Sequence, residues 1–261
     1  MLRTLGSARG YSRGSTVACR HWLRSAQRYI SASTRTSVSA TPFGRRSLPA
    51  LSNKRLTAVR TMPLVTISSN IADALKKHEV VPEVVDAFDS GALITVTYDK
   101  DTEVAMGNTL KVGETQSNPT VRITFNDTKE LKDTDSYTLV LTDPDAPTKG
   151  DKKWSEYCHL LVTGIKLSPP SDGSPSDVIE VNYSQGNVLQ QYMGPAPPPK
   201  TGKHRYVFIL YKEGGASPKA SFDERATWGT GKPGSGAKDY AAKYNLTPVA
   251  INFFYAQNEQ Q

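Results

Sequence analysis

Two aspartates and two histidines carry most of the chemistry this sequence can offer. Asp143 and Asp145 sit in Asp143-Pro-Asp-Ala-Pro147, His159 follows Tyr157-Cys158, and His204 precedes Arg205-Tyr206. Beyond residue 61 the only other histidine is His78. Carboxylates beside imidazoles favour the imidazolium form. A cluster of these four groups would therefore hold a phosphate, phosphonate or carboxylate. Trp154, Tyr157, Tyr206 and the run Tyr192-Met-Gly-Pro-Ala-Pro-Pro-Pro199 would wall the organic part of such a ligand. Proline pre-organises that run, so it loses little entropy on binding.

Each feature also has an ordinary explanation. The Asp143–Pro147 stretch reads as an Asx-type turn, with either proline open to the cis form. A histidine that starts a strand is commonly a satisfied core or surface residue. The polyproline is a rigid linker or a ligand for an SH3-like partner. The same aspartates and histidines would also serve a metal or a hydrolytic acid–base pair. Neither an HExxH pattern nor a GxSxG elbow accompanies them. No catalytic residue, metal ligand or cofactor is therefore assigned.

The elements that must position these residues are mostly strands. Residues 93–98, 121–125, 137–142, 157–163, 205–211 and 248–255 are β-branched or aromatic runs bounded by turn residues. Residues 70–88, restarting at Pro82, and 237–245 read as helices, while 168–177, 194–203 and 226–236 read as Pro/Gly loops. Helices do not alternate with strands, which argues for an antiparallel body over a parallel βαβ sheet. Strand parity puts Asp143 on the face of Tyr137, Leu139 and Leu141. It puts His204 with Tyr206, Phe208 and Leu210, and Arg205 on the opposite face. It also groups Tyr157, His159 and Leu161 against Cys158, Leu160 and Val162.

Charge divides the chain. The net charge of +7 is misleading, because residues 1–61 hold 11 Arg, Lys54 and no acid, which leaves residues 62–261 at −5. A net-negative body without a basic stripe argues against nucleic-acid binding. No run of 18 apolar residues marks a transmembrane helix, and two cysteines, Cys19 and Cys158, cannot build a disulfide framework. The Arg- and Ser-rich, acid-free stretch 1–61 has the composition of a transit peptide, with a basic amphipathic segment at Arg20–Ile30. Met62 opens a natural domain start. A translated leader implies a mitochondrial protein; a start at Met62 implies a cytoplasmic one. The expected division is a leader over 1–61 and one domain over 62–261.

The stretches LVLTDPDAP (139–147), KWSEYCHLLV (153–162), YMGPAPPPKTGKHRYVFILYK (192–212) and PVAINFFYAQ (248–257) resemble the phosphatidylethanolamine-binding protein family. VAMGNTL (104–110), YMGPAPPP (192–199), ATWGTGKP (226–233) and NFFYAQN (252–258) are most similar to its fungal carboxypeptidase Y inhibitor branch. The resemblance covers about residues 70–261. It implies a mainly β fold in which a large antiparallel sheet packs on a smaller one, with peripheral helices, behind a disordered leader. It also implies an anion or phosphatidylethanolamine-like head-group site at Asp143, Asp145, Pro147, Trp154, Tyr157, His159, Gly194, Pro197, His204, Tyr206 and Phe254. Tyr157 stands where many members have Trp, Cys158 replaces a His, and Phe254 falls where animal members often have Tyr. The implied function is non-enzymatic binding and inhibition of a serine carboxypeptidase, engaged in part through residues 62–72. The alternatives are a structural protein of the mitochondrial large ribosomal subunit and a His/Asp-dependent hydrolase.

Overall fold

The computed structural model describes residues 64–99, 101–128, 131–168 and 178–261. The leader with Arg20–Ile30, the start at Met62 and most of the loop 168–177 lie outside the described residues.

Two sheets form the body. The larger has six strands in the order β3 (Asn108–Thr109), β10 (Leu246–Gln257), β9 (Lys203–Glu213), β5 (Tyr137–Asp143), β6 (Tyr157–Ile165) and β8 (Asn187–Gln190). The smaller has four, β2 (Thr102–Glu103), β1 (Ala92–Tyr98), β4 (Thr120–Phe125) and β7 (Val178–Glu180). All neighbours are antiparallel except the short β3–β10 pair. The short strands β2, β3, β7 and β8 lack the run of β-branched residues that reveals the others, and only tertiary pairing defines them.

Period-two alternation separates two apolar layers. Leu139, Leu141, Tyr206, Phe208 and Leu210 face inward, onto Ile94, Val96, Val121 and Ile123 of the small sheet. Val140, Val207, Ile209 and Tyr211 face outward, onto Leu75, Val80, Val84 and Tyr240. Strand β5 is buried along both faces, which its continuous apolar run requires. Burial of each such Leu or Phe contributes about 1.5–3 kcal/mol. Asn252 links the layers: its Nδ2 donates to Ile94 O and Val104 O, each at 3.0 Å, and its Oδ1 accepts from Met106 N at 3.0 Å.

The helices cover the outer layer. The first, α1, spans Leu64–Lys77, so it begins earlier and ends sooner than the 70–88 read from sequence. It stops in a Schellman arrangement. Glu79 turns to φ 57°, Glu79 N donates to Lys76 O (3.1 Å) and Val80 N to Leu75 O (2.9 Å). The chain then passes through turns rather than a second helical segment. Helix α2, Ala237–Tyr244, ends on Asn245 in the left-handed region.

Strand β6 departs from simple parity. Leu141 opposes Leu160, yet Thr142 opposes Cys158, so His159 is an extra residue. This β-bulge reverses the alternation behind it. Leu161 therefore joins Cys158 in the outer layer, while Leu160 and Val162 face inward.

Candidate functional site

The adjacent central strands β9, β5 and β6 bring their termini together at one end of the large sheet, and the proline-rich run 194–199 packs beside them. His204 follows inward parity, and its Nδ1 lies 2.9 Å from Asp143 Oδ2. The other Asp143 oxygen accepts the Asp145 backbone N–H at 2.7 Å. His204 Nε2 lies 2.9 Å from Thr201 Oγ1, which also reaches Pro198 O at 2.7 Å. That hydroxyl has one proton to share between the two.

His159 sits on the bulge, with its ring edge-on to Tyr206 (centroids 5.1 Å apart) and tilted against Tyr157 (5.2 Å). Its Nδ1 is 2.7 Å from Met193 O, and its carbonyl accepts Met193 N–H at 2.8 Å. These two bonds latch the proline-rich run to β6. A carbonyl only accepts, so Nδ1 carries the proton, and Nε2 is the ring atom left for a ligand. Burial lowers the His159 pKa and outweighs the opposing pull of Asp143. The charged imidazolium expected from the sequence therefore does not hold for His159 without a ligand. The Tyr206 hydroxyl bonds to Asp143 and to the Ala196 backbone, and burial keeps its proton on.

Asp145 takes different partners. Although only two residues from Asp143, it turns to the outer face, where Arg205 donates to it from N (2.8 Å), Nε (2.9 Å) and Nη2 (2.7 Å). Asp145 and Arg205 are each 1% exposed. Burial pushes the Asp145 pKa up, but the Arg205 hydrogen bonds and charge outweigh it and hold it low. Two histidines and one aspartate thus converge at the front, and the second aspartate lies behind. An Arg inside the apolar strand RYVFILY was the sequence signal for this, because a buried guanidinium requires a carboxylate.

The remaining candidates form walls and rim. The peptide before Pro147 is cis. Pro195 and Pro197 are buried, and Pro197 O accepts from Asn258 Nδ2 at 3.1 Å. The run is therefore a packed wall, not the free polyproline ligand that the sequence left open. A β-carbon at Gly194 would come 2.5 Å from Gln116 Oε1, which explains the glycine. Gln116 in turn donates to Pro195 O at 2.9 Å. Gln116 and Thr201 support the site without any local sequence signal. Tyr192 donates to Thr115 O at 2.6 Å and meets the Tyr98 hydroxyl at 3.0 Å. Phe254 is fully buried and stacked 5.3 Å from Tyr206, so it backs the site from within the core. Trp154 is exposed, with Lys153 Nζ 5.1 Å from its ring centroid. Cys158 faces the outer layer, as parity indicated, and burial raises its pKa.

The cluster is tightly packed, and Asp143, His159, His204 and Tyr206 are all buried. Two hollows of about 290 and 400 Å³ lie elsewhere, beside α1, against Ala72, Leu75 and Phe88. Among the described residues, no group of three His, Cys, Asp or Glu is arranged to hold a metal ion. No described helix is long and apolar enough to cross a membrane.

Comparison with known proteins matches residues 86–254 to the family model described as phosphatidylethanolamine-binding protein. The carboxypeptidase Y inhibitor of Saccharomyces cerevisiae is 39% identical over 207 residues, covering 72% of this chain and 94% of the inhibitor. Protein FLOWERING LOCUS T of Arabidopsis thaliana is 33% identical over 194 residues, covering 74% of this chain and 95% of that protein. Among solved structures, a carboxypeptidase Y inhibitor complexed with its cognate proteinase aligns with TM-score 0.67 at 38% identity, over 75% of this chain and 98% of that one. A phosphatidylethanolamine-binding protein from Plasmodium vivax shares the fold, with TM-score 0.58 at 23% identity over 72% of this chain and 97% of that one.

Proposed function

The chain belongs to the phosphatidylethanolamine-binding protein family, and from that premise we propose that it is a non-enzymatic binding protein that inhibits a serine carboxypeptidase of the carboxypeptidase Y type. The observation that carries this reading is the 39% identity extending over 94% of the yeast inhibitor. On this reading the stretch 62–72, which includes the N-terminal part of α1, engages the peptidase, so a chain beginning at Met62 inhibits better than one with residues 1–61 attached. Titrating carboxypeptidase Y activity with both forms tests this. Peptidase activity unchanged by a stoichiometric excess of either form would overturn the inhibitory reading.

The cluster of His159, His204, Asp143 and Tyr206 is the proposed site for a phosphate or phosphatidylethanolamine-like head group. His159 gives the site a specific pH dependence. Its Nδ1 proton points to Met193 O, so the neutral ring offers an anion only the lone pair of Nε2. A fully deprotonated anion therefore binds with uptake of one proton at that atom, whereas phosphate brings the proton itself as the monoanion and loses that route as it deprotonates near neutral pH, so in both cases affinity falls as pH rises. Thermal protection by inorganic phosphate, measured from pH 5 to 8 (a range chosen to span the ordinary imidazole pKa of about 6.5), should fade as pH rises. The His159→Ala/His204→Ala double variant should lose that protection. Equal protection of the variant and the parent would place the anion elsewhere.

A further inference from the structure

On the reading that the front cluster takes an anion, we infer that Asp145 and Arg205 are positioning residues: buried behind β9, they hold the Asp143 carboxylate in the orientation that serves His204. Neither touches the ligand. All five guanidinium N–H groups of Arg205 are committed: Nε and one Nη2 proton to Asp145, the other Nη2 proton to Glu83 Oε2 (2.7 Å), and Nη1 to His78 O (3.2 Å) and Glu79 O (2.9 Å). Nothing is left over for an anion. Their effect passes through the backbone. The Asp145 side chain, gripped at three points, fixes its own amide, and that amide donates to Asp143 Oδ1 at 2.7 Å. Lys152 Nζ (2.8 Å) and Ser155 Oγ (2.7 Å) hold the intervening Pro144 carbonyl.

With Oδ1 taken, Oδ2 is the oxygen presented to His204. A carboxylate rotates about a broad two-fold torsion, so without the amide only His204 and the Tyr206 hydroxyl would restrain its plane. Arg205 also follows His204 directly in β9, so one clamp sets both partners of the Asp143–His204 bond. Its outer end is tied to the His78 and Glu79 carbonyls just past the end of α1 and to Glu83, which makes the site depend on where residues 78–83 sit.

Three measurements on the full chain test the assignment. In ¹⁵N-edited NMR, the His204 Nδ1–H resonance should be present in the parent and in Glu83→Gln, which trims only the outer arm. It should be lost or broadened in Asp145→Asn and in the neutral double variant Asp145→Asn/Arg205→Met. Phosphate affinity should fall roughly 10- to 100-fold in those two, the range found when groups that orient a ligand-binding residue are removed. Folded variants that keep both the resonance and phosphate affinity within about twofold of the parent would overturn the proposal. The double variant removes both charges together, which buried pairs tolerate better than loss of one partner. If both variants fail to fold, hydrogen exchange of the Asp145 amide in the parent decides: protection that increases with phosphate supports the clamp, and rapid exchange refutes it. A parent that binds no phosphate defeats the anion reading alone, because the resonance and the amide exchange without ligand still decide the positioning claim.

Discussion

Adjacent residues of β9 do opposite work. His204 faces inward, where the Asp143 carboxylate and the Thr201 hydroxyl meet its two ring nitrogens, and the neighbouring His159 keeps Nε2 for a guest. Arg205 faces outward into a saturated clamp in which every donor has a fixed acceptor. The front is polar but incompletely paired, which suits binding. The clamp around Arg205 is fully paired, which suits rigidity, even though the buried Tyr211 and Tyr240 hydroxyls of the same outer layer have no hydrogen-bond partner among the described residues. A third group extends the comparison. Glu156, also buried on the outer side, has no paired cation among the described residues: Thr142 Oγ1 (2.9 Å) and the Ala237 N–H (3.1 Å) at the start of α2 donate to it instead. Burial accordingly pushes its pKa up to about 7, whereas the Asp145 carboxyl is held low. At equal burial, the presence of a guanidinium decides which carboxyl stays ionised.

The largest effect should come from breaking the rear clamp on one side. Arg205→Met leaves Asp145 as an uncompensated buried charge and should cost about 3–5 kcal/mol in urea unfolding. A loss below about 1 kcal/mol would remove the distinction between the two faces. Next comes Glu156. Its pKa is raised on folding, so the folded state binds more protons than the unfolded one between about 4.5 and about 7. Its stabilising contribution is complete below that window and is lost as pH rises through it, on the order of 3 kcal/mol in all. Glu156→Gln keeps an acceptor for Thr142 and Ala237, so unfolding of this variant from pH 4 to 8 (a range bracketing that shift) should lack this decline. A parent-like slope would show that another group titrates. His159 acts in the opposite sense: its lowered pKa gives stability that is present above about 6.5 and lost as pH falls through the folded value. In His159→Ala, unfolding between about pH 5 and 7 should show a smaller acid-side loss, and an unchanged loss would remove His159 as its source. The smallest effect belongs to the rim. Trp154 is 44% exposed, so Trp154→Ala should shift stability by less than about 0.5 kcal/mol. A larger thermal shift would mean that Trp154 helps hold the fold.

Much of the fold was legible because long β-branched runs admit one local structure. The centres of β1, β4, β5, β6, β9 and β10 coincide with those runs, and α2 ends within a residue of its reading. The start of α1 was not legible, because Leu64–Ile67 carries no helical periodicity distinct from a strand. Its end depends on Glu79 adopting a positive φ, which no Gly or Asn announced. The bulge at His159 was equally silent, since an extra residue appears only when β5 is laid alongside. At the site, inward parity identified His204 and Tyr206, and it separated Cys158 and Arg205 from them. It offered no means of seeing that Asp145 leaves Asp143 for Arg205.

What the amino-acid order settled by itself is local: alternation along the strands other than β6, proline stiffness beside the site, and the split between a cationic stretch 1–61 and a mildly acidic body. Each follows from backbone sterics or from charge, and neither depends on distant residues. Tertiary structure alone decided the partners: which carboxylate meets an imidazole, which meets a guanidinium, and which meets neither. The physical reason is that desolvation and pairing act over a few ångströms between residues that lie 60 or more positions apart in the chain, as Asp143 and His204 do.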